Sequence, residues 1–466
     1  MDTALRCFTP SDVRGRVPDA FNEDIASRIA LAFVEHQHLR HLVLGRDIRL
    51  SSPSLATAVC QALLAQGCDV RDIGLCGTEE MYYAVFSGAE QGIDGGIMLT
   101  ASHNPAAYNG MKLVGRHAQP ISSNNGLKEI AKRAAQLAPP NSAQKAQDAG
   151  GSGQSRQGRY LLNTSKEAYI RHILSMAVPE RMRPLKLVVN SGNGCAGPVL
   201  DLLAAHLPFT FIRLQHEPDG RFPNGVPNPL LPDRRAATAE AVQLHQADMG
   251  IAWDGDFDRC FFFDEQGTFI EGYYIVGLLA EAMLHLHPGA TILHDPRLVW
   301  NTQDIVRRAG GQPVMVRTGH SFIKEAMRRH NALYGGEMSA HHYFRDFGFC
   351  DSGMLPWLLV CRLLAEKGQT LSALCAERMR AYPVSGEINT SVRVAPAMVL
   401  TAIKEKYADG QLDETDGVSI SYPNYRFNIR QSSTEPLLRL NVETRADALL
   451  LQEVTAELLG LIKSFT

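Results

Sequence analysis

One rhythm constrains the chain more than any other feature. A short apolar run is followed by a turn bearing Gly or Asp and then by an amphipathic helical stretch, and this recurs along most of the sequence. Leu42-Val43-Leu44 leads into Gly45-Arg46-Asp47 and a helix from about Pro53 to Gln66. Gly96 to Thr100 leads to Ser102-His103-Asn104-Pro105. Lys186 to Asn190, Met249 to Trp253, Ala290 to His294 and Gln312 to Val316 repeat the pattern. Such alternation predicts α/β units with mostly parallel strands, whose ligands sit beyond the carboxyl ends of the strands. Nearly every polar cluster of the chain falls at one of those ends.

At 466 residues the chain exceeds the size of one hydrophobic core, and three or four domains are expected. Ala138 to Arg159, rich in Ala, Gln, Gly, Ser and Pro, reads as a flexible linker or loop closing the first domain. After about Gly368 the rhythm changes. Gly386 to Val394, Val418 to Ile420 and Leu437 to Glu443 alternate as strands, and Ala446 to Ile462 is an amphipathic helix, which predicts a smaller α+β domain. The expected divisions are 1–159, 160–262, 263–370 and 371–466.

A net charge of -3 argues against a nucleic-acid or membrane-surface binder. Met1 to Pro10 has no apolar core of signal-peptide length, and no stretch approaches a membrane span; Met354 to Leu364 is interrupted by Pro356 and Arg362. Nine cysteines without a CxxC pair suggest reduced, buried thiols and a cytoplasmic protein.

Four clusters carry chemistry. Thr100 to Pro105 places Ser102, a hydroxyl nucleophile in need of activation, on a stiff mount just past a strand, with His103 beside it and Lys112 close by. Asp254-Gly255-Asp256-Phe257-Asp258-Arg259 offers three carboxylates at alternate positions, suited to one hard cation. A calcium-loop reading of this segment fails, because Arg259 occupies the position that needs glycine. Gly336 to His341 combines Glu337 and Ser339, a pair able to bind sugar hydroxyls, with an imidazole. Arg430 to Pro436, with Ser432, Ser433 and Thr434, forms a phosphate cradle, with Arg439 nearby. Gly192-Asn193-Gly194-Cys195-Ala196-Gly197 matches a dinucleotide fingerprint, but the residues around Glu217 form a turn where that fingerprint needs a second strand.

In this order the four clusters resemble the α-D-phosphohexomutase family, in its bacterial phosphomannomutase branch, over Phe8 to Glu443. Asp12-Val13-Arg14-Gly15, Gly77 to Glu80 and Thr318 to Lys324 add weaker matches. The resemblance implies an α/β fold of four domains around a central cleft, three α/β mixed-sheet domains and a smaller C-terminal α+β domain. It implies that Ser102 carries a phosphoryl group, and that Asp254, Asp256 and Asp258 hold Mg2+ together with an oxygen on Ser102. Arg14, His103, Lys112, Arg259, His320 and His341 would line the reaction centre, with general acid/base work open among Lys112, His320 and His341. Arg297, Glu337 and Ser339 would meet the sugar, and Arg430, Ser432, Ser433 and Thr434 the distal phosphate. Ser11 stands where the family usually has an aromatic residue.

The implied activity exchanges mannose 1-phosphate and mannose 6-phosphate, and also acts on glucose phosphates, with a hexose 1,6-bisphosphate as intermediate and activator. Hexose phosphates are the expected partners, with no nucleic acid and no membrane, for a monomer or homodimer that supplies mannose 1-phosphate to polysaccharide synthesis. The alternative from another class is a non-catalytic sugar-phosphate sensor.

Overall fold

The computed structural model describes residues 6–138, 156–431 and 437–465. These residues divide into two compact units. Unit 1 contains Met1–Gly267 and Asp346–Glu366; unit 2 contains Thr268–Arg345 and Lys367–Thr466.

Unit 1 holds two mixed sheets. The first is six-stranded, in the order Val13–Arg16, Tyr108–Val114, Gly95–Leu99, His41–Arg46, Asp69–Leu75, Tyr160–Leu162. Its three central strands are parallel, and Tyr108–Val114 runs antiparallel beside Gly95–Leu99. The fully buried pattern of Gly95–Leu99 is what a strand covered on both faces requires. The helix Glu23–Gln37 begins at Asn22, whose side chain accepts from the Ile25 amide, and Glu23 and Asp24 fall in its positive first turn. It buries Ile25, Ile29 and Phe33 in the sheet's core, at about 1.5–3 kcal/mol for each large side chain.

The second sheet of unit 1 runs Cys260–Phe263, Met249–Trp253, Lys186–Asn190, Thr210–Leu214, with the Cys260 strand antiparallel and the others parallel. Here the hairpin turn between Met249–Trp253 and Cys260–Phe263 is the Asp254 to Arg259 loop.

Unit 1 also takes in Asp346–Glu366, and with it most of the helix Met354–Lys367. That helix is buried without interruption from Met354 to Leu364, and Trp357 packs edge-on against Trp253. Its apolar run is therefore a core helix, and among the described residues no helix is long and apolar enough to cross a membrane.

In unit 2 one sheet has parallel strands Gln312–Met315, Thr291–His294 and Tyr334–Gly336, with His342–Phe344 antiparallel at the side of Tyr334–Gly336. The other is a five-stranded antiparallel sheet, ordered Ile388–Ser391, Leu437–Thr444, Tyr425–Gln431, Val418–Ser421, Gln411–Asp413. The helices Pro396–Lys406 and Ala448–Lys463 close its core through Val399, Ile403, Leu458 and Ile462.

One expectation needs correction. The expected linker 138–159 lies mostly outside the described residues, but its last residues are not a free tether. Arg156 and Arg159 both pair with Asp69, the Gly158 amide donates to the Leu64 carbonyl, and the chain then adds Tyr160–Leu162 as an edge strand. The polar composition hid charged side chains that are used to anchor the segment.

Candidate active site

The predicted residues fall into two groups, one in each unit. In unit 1, Ser102 sits just past Gly95–Leu99 with a left-handed backbone (φ 48°), a conformation that costs a residue with a Cβ about 1–2 kcal/mol. Its amide donates to Thr100 Oγ1 at 2.9 Å, and its hydroxyl donates to Asp254 Oδ2 at 2.7 Å. A Cβ on Gly255 would lie 2.6 Å from the Ser102 carbonyl oxygen, so glycine between the first two aspartates lets the serine loop and the acidic loop touch. His103 Nδ1 is 3.1 Å from Ser102 Oγ and accepts from the Arg259 guanidinium.

Asp254, Asp256 and Asp258 are buried, and each offers an oxygen within 4.8 Å of the others. Two cations hold them together. Lys112 donates to Asp256 Oδ2 at 2.9 Å and to Asp258, and Arg259 Nε donates to Asp254 Oδ2 at 2.9 Å. Thr78 and Thr100 hydroxyls also donate to Asp256 Oδ2. Burial opposes the charge on Lys112, but Asp256 and Asp258 outweigh it and hold the ammonium above the usual lysine range. Burial likewise pushes Asp256 up, and Lys112, the Thr78 hydroxyl and Arg14 overcome it, leaving the carboxyl well below its usual range. Asp256 Oδ1 is buried with no hydrogen-bond partner among the described residues. A hard cation is the partner such an oxygen fits, and Asp254, Asp256 and Asp258 are the residues able to hold it. Arg14, on the first strand, donates to the Thr100 carbonyl and pairs with Asp12 at 2.8 Å.

Two contributors were not foreseen. Arg49 is 1 % exposed and donates to the carbonyls of Ser102, Asn104, Pro105 and Tyr108, at 2.7–2.8 Å. Asp47 Oδ2 accepts from its Nε at 3.2 Å. The serine loop is thus wound around one guanidinium, and the only sequence signal was an Asp-x-Arg pair at a strand end. The glycine-rich decoy also has a role. Cys195 N donates to the Gly255 carbonyl, and a Cβ on Gly194 would lie 2.7 Å from that same oxygen. Its small residues bring a loop against the back of the acidic loop.

In unit 2, Glu337 follows the strand Tyr334–Gly336 and is 1 % exposed. Its carboxylate accepts from the Gly319 amide at 3.0 Å and from the Tyr343 hydroxyl at 2.7 Å. Arg297 donates to Asp295 Oδ2 at 2.7 Å and to Ser339 Oγ at 3.1 Å, and lies 3.6 Å from Glu337. It also approaches Glu387, on which Arg430 and Arg439 converge from adjacent strands. Glu387, like Arg49, was not singled out by the sequence. His320 opens the helix His320–His330, and its ring lies 6.4 Å from that of His341. His342 is a buried structural residue: Tyr334 Oη lies 2.7 Å from its Nδ1, and burial pushes it down to about 3. Ser432, Ser433 and Thr434 lie outside the described residues.

The four domain models of the phosphoglucomutase/phosphomannomutase family match in order: alpha/beta/alpha domain I over 6–139, II over 167–267, III over 271–382 and the C-terminal domain over 387–461. The chain belongs to this family. A protein of Escherichia coli named "Phosphomannomutase" is 54% identical, covering 99% of this chain and all of its own length. A Xanthomonas campestris protein named "Phosphohexose mutases" is 53% identical over 98% of this chain and 99% of its own. The crystal structure of a phosphoglucomutase/phosphomannomutase family protein from Burkholderia thailandensis matches with a TM-score of 0.84 at 30% identity, covering 99% of this chain and 98% of that one.

Proposed function

We propose that this chain is an enzyme that interconverts mannose 1-phosphate and mannose 6-phosphate, and that it also accepts glucose phosphates. The observation that carries the reading is the Ser102 hydroxyl bonded to Asp254 at the mouth of a buried, cation-braced aspartate triplet. Full-length relatives at about half identity, named as phosphomannomutases, support the same chemistry and favour a catalyst over a sensor.

Phospho-Ser102 transfers its phosphoryl group to the free hydroxyl of a hexose monophosphate: the new P–O bond forms to the sugar oxygen as the bond to Ser102 Oγ breaks, the sugar hydroxyl loses its proton to a base, for which Lys112, His320 and His341 are the candidates, and Ser102 Oγ regains one. The resulting 1,6-bisphosphate turns end for end, and its other phosphoryl returns to Ser102. Mg2+ on Asp254, Asp256 and Asp258 supplies charge neutralisation at the transferring oxygens when bound. Lys112 and Arg259 hold the three carboxylates converged, and Arg14 and His103 border the serine. Glu337 and Ser339 accept and donate at sugar hydroxyls, with Arg297 orienting both. Arg430, Ser432, Ser433 and Thr434 take the phosphate that is not reacting. If Glu337 and Ser339 grip the 3- and 4-hydroxyls, they cannot tell mannose from glucose, which differ at C2; this is why activity on both is expected.

Phosphorus NMR of α-mannose 1-phosphate with enzyme, magnesium and a trace of glucose 1,6-bisphosphate tests the reading. The 6-phosphate signal grows with the wild type and stays absent with Ser102→Ala. A silent wild type overturns the mannose assignment, and an active Ser102→Ala overturns the nucleophile.

A further inference from the structure

Three guanidiniums meet one carboxylate in unit 2. Arg439 lies 3.2 Å from Glu387, Arg430 3.3 Å and Arg297 3.7 Å, and the glutamate side chain is only 8 % exposed. Arg297 has Asp295 and Glu337 beside it as well, whereas Arg430 and Arg439 share the Glu387 carboxylate. Burial alone would push the Glu387 carboxyl up, yet Arg297, Arg439 and Arg430 outweigh it and hold the group below its usual range. Arg430 is shifted the other way: burial, and then Arg297, lower it below the usual arginine range.

The contacts to Glu387 are also loose. Charge-assisted N–H···O bonds ordinarily close to about 2.7–2.9 Å. Arg297 makes such a bond, at 2.7 Å, with Asp295, which also accepts from the Arg297 and Met338 amides. Asp295 therefore both fixes and neutralises Arg297, and Glu387 serves chiefly Arg430 and Arg439. The buried Nε donors of Arg297 and Arg430 have no acceptor among the described residues. Unused N–H groups on two guanidiniums, held at the edge of one weakly gripped carboxylate, suit a tetrahedral dianion better than they suit a glutamate.

We propose that Glu387 is a built-in occupant of the distal phosphate site. Its carboxylate balances Arg297, Arg430 and Arg439 in the free enzyme and competes with the substrate's non-reacting phosphate for the same N–H donors. This rests on the reading of Arg430 as a phosphate-binding residue. The competition has a use in the proposed reaction, because a bisphosphate that must turn around has to be released at this end as well as held. The same site without the Glu387 carboxylate would hold it more tightly.

Inorganic phosphate is the probe, titrated by calorimetry into the full chain in EDTA. Glu387→Gln removes the competing charge and keeps the shape. Its expected result is phosphate binding at least about tenfold tighter than wild type, the direction set by removing one negative charge a few ångströms from the ligand. In phosphate-free buffer its melting temperature falls, from unrelieved repulsion among the arginines, and phosphate raises it by more than it raises the wild type. Glu387→Asp, with its carboxylate drawn back by one methylene, falls between the two and serves if the glutamine variant does not fold. Equal or weaker phosphate binding by folded Glu387→Gln overturns the proposal, since it would make Glu387 a mere orienter of the arginines. Arg430→Gln separates the two readings. Unchanged phosphate binding in that variant overturns the distal site itself, whereas lost binding there without a gain in Glu387→Gln removes only the role of Glu387.

Discussion

Among the described residues Arg49 makes no hydrogen bond to the Ser102 hydroxyl, yet it fixes the carbonyl of Ser102, the proposed phosphoryl carrier, and three carbonyls that follow it. Lysine in its place keeps the charge and loses the planar fork, leaving buried carbonyls without donors at about 1–3 kcal/mol each. The larger effect is on alignment, because a small displacement of a reacting group can cost about 10²-fold in rate. For Arg49→Lys, kcat is expected to fall by about 10- to 100-fold with KM for mannose 1-phosphate little changed. Steady-state kinetics beside a thermal melt checks this. A variant that melts lower but turns over at the wild-type rate would make Arg49 a purely structural residue. The convergence of Ser102, Lys112 and the three aspartates was legible from residue type and spacing, since reactive and charged side chains at strand ends mark a candidate site by their chemistry. Arg49 and Glu387 were not, because Arg49 is defined by acceptors 53 to 59 positions away and Glu387 by donors 43 and 52 positions away, and no local pattern encodes that.

Helices and strands of the first three sheets were readable for the same reason: apolar runs such as Lys186–Asn190 and Met249–Trp253 end where Gly or Asp must turn the chain. The edge strand Tyr160–Leu162 was missed because all three residues are exposed and carry no burial pattern. The adoption of Asp346–Glu366 by unit 1 was also unreadable, since it is decided by one distant carboxylate. Glu79, wholly buried on the helix Thr78–Ser87, accepts from the Tyr169 and Ser352 hydroxyls and from the Gly353 and Met354 amides, which open the helix Met354–Lys367. Both of its oxygens face donors. Glu79→Met leaves the two buried amides without an acceptor, and the expected cost is about 3 kcal/mol. A chemical-denaturation curve measures it, and a loss under about 0.5 kcal/mol, the size of an ordinary surface substitution, would show that this carboxylate is not what secures the segment.

Each unit has its own apolar core, around Ile29, Phe33 and Leu44 in unit 1 and around Val399, Phe427 and Leu458 in unit 2. Two such bodies are expected to unfold in two calorimetric transitions. All three acidic ligand candidates belong to unit 1, so magnesium at 100 times its dissociation constant is expected to stabilise that transition by about 2.7 kcal/mol and leave the other unmoved. Scanning calorimetry with and without EDTA checks it, and a shift confined to the second transition would place the metal elsewhere. The chain passes from unit 1 to unit 2 after Gly267, returns for Asp346–Glu366 and leaves again. That threading sets a clock on synthesis. A nascent chain that has reached Gly267 still lacks the helix that Trp253 and Glu79 pack against, and at about 5–20 residues per second the ribosome takes roughly 5–20 s more to deliver Glu366. For that interval the half that carries Ser102 presents an open hydrophobic seat, the kind of surface a holding chaperone covers during translation.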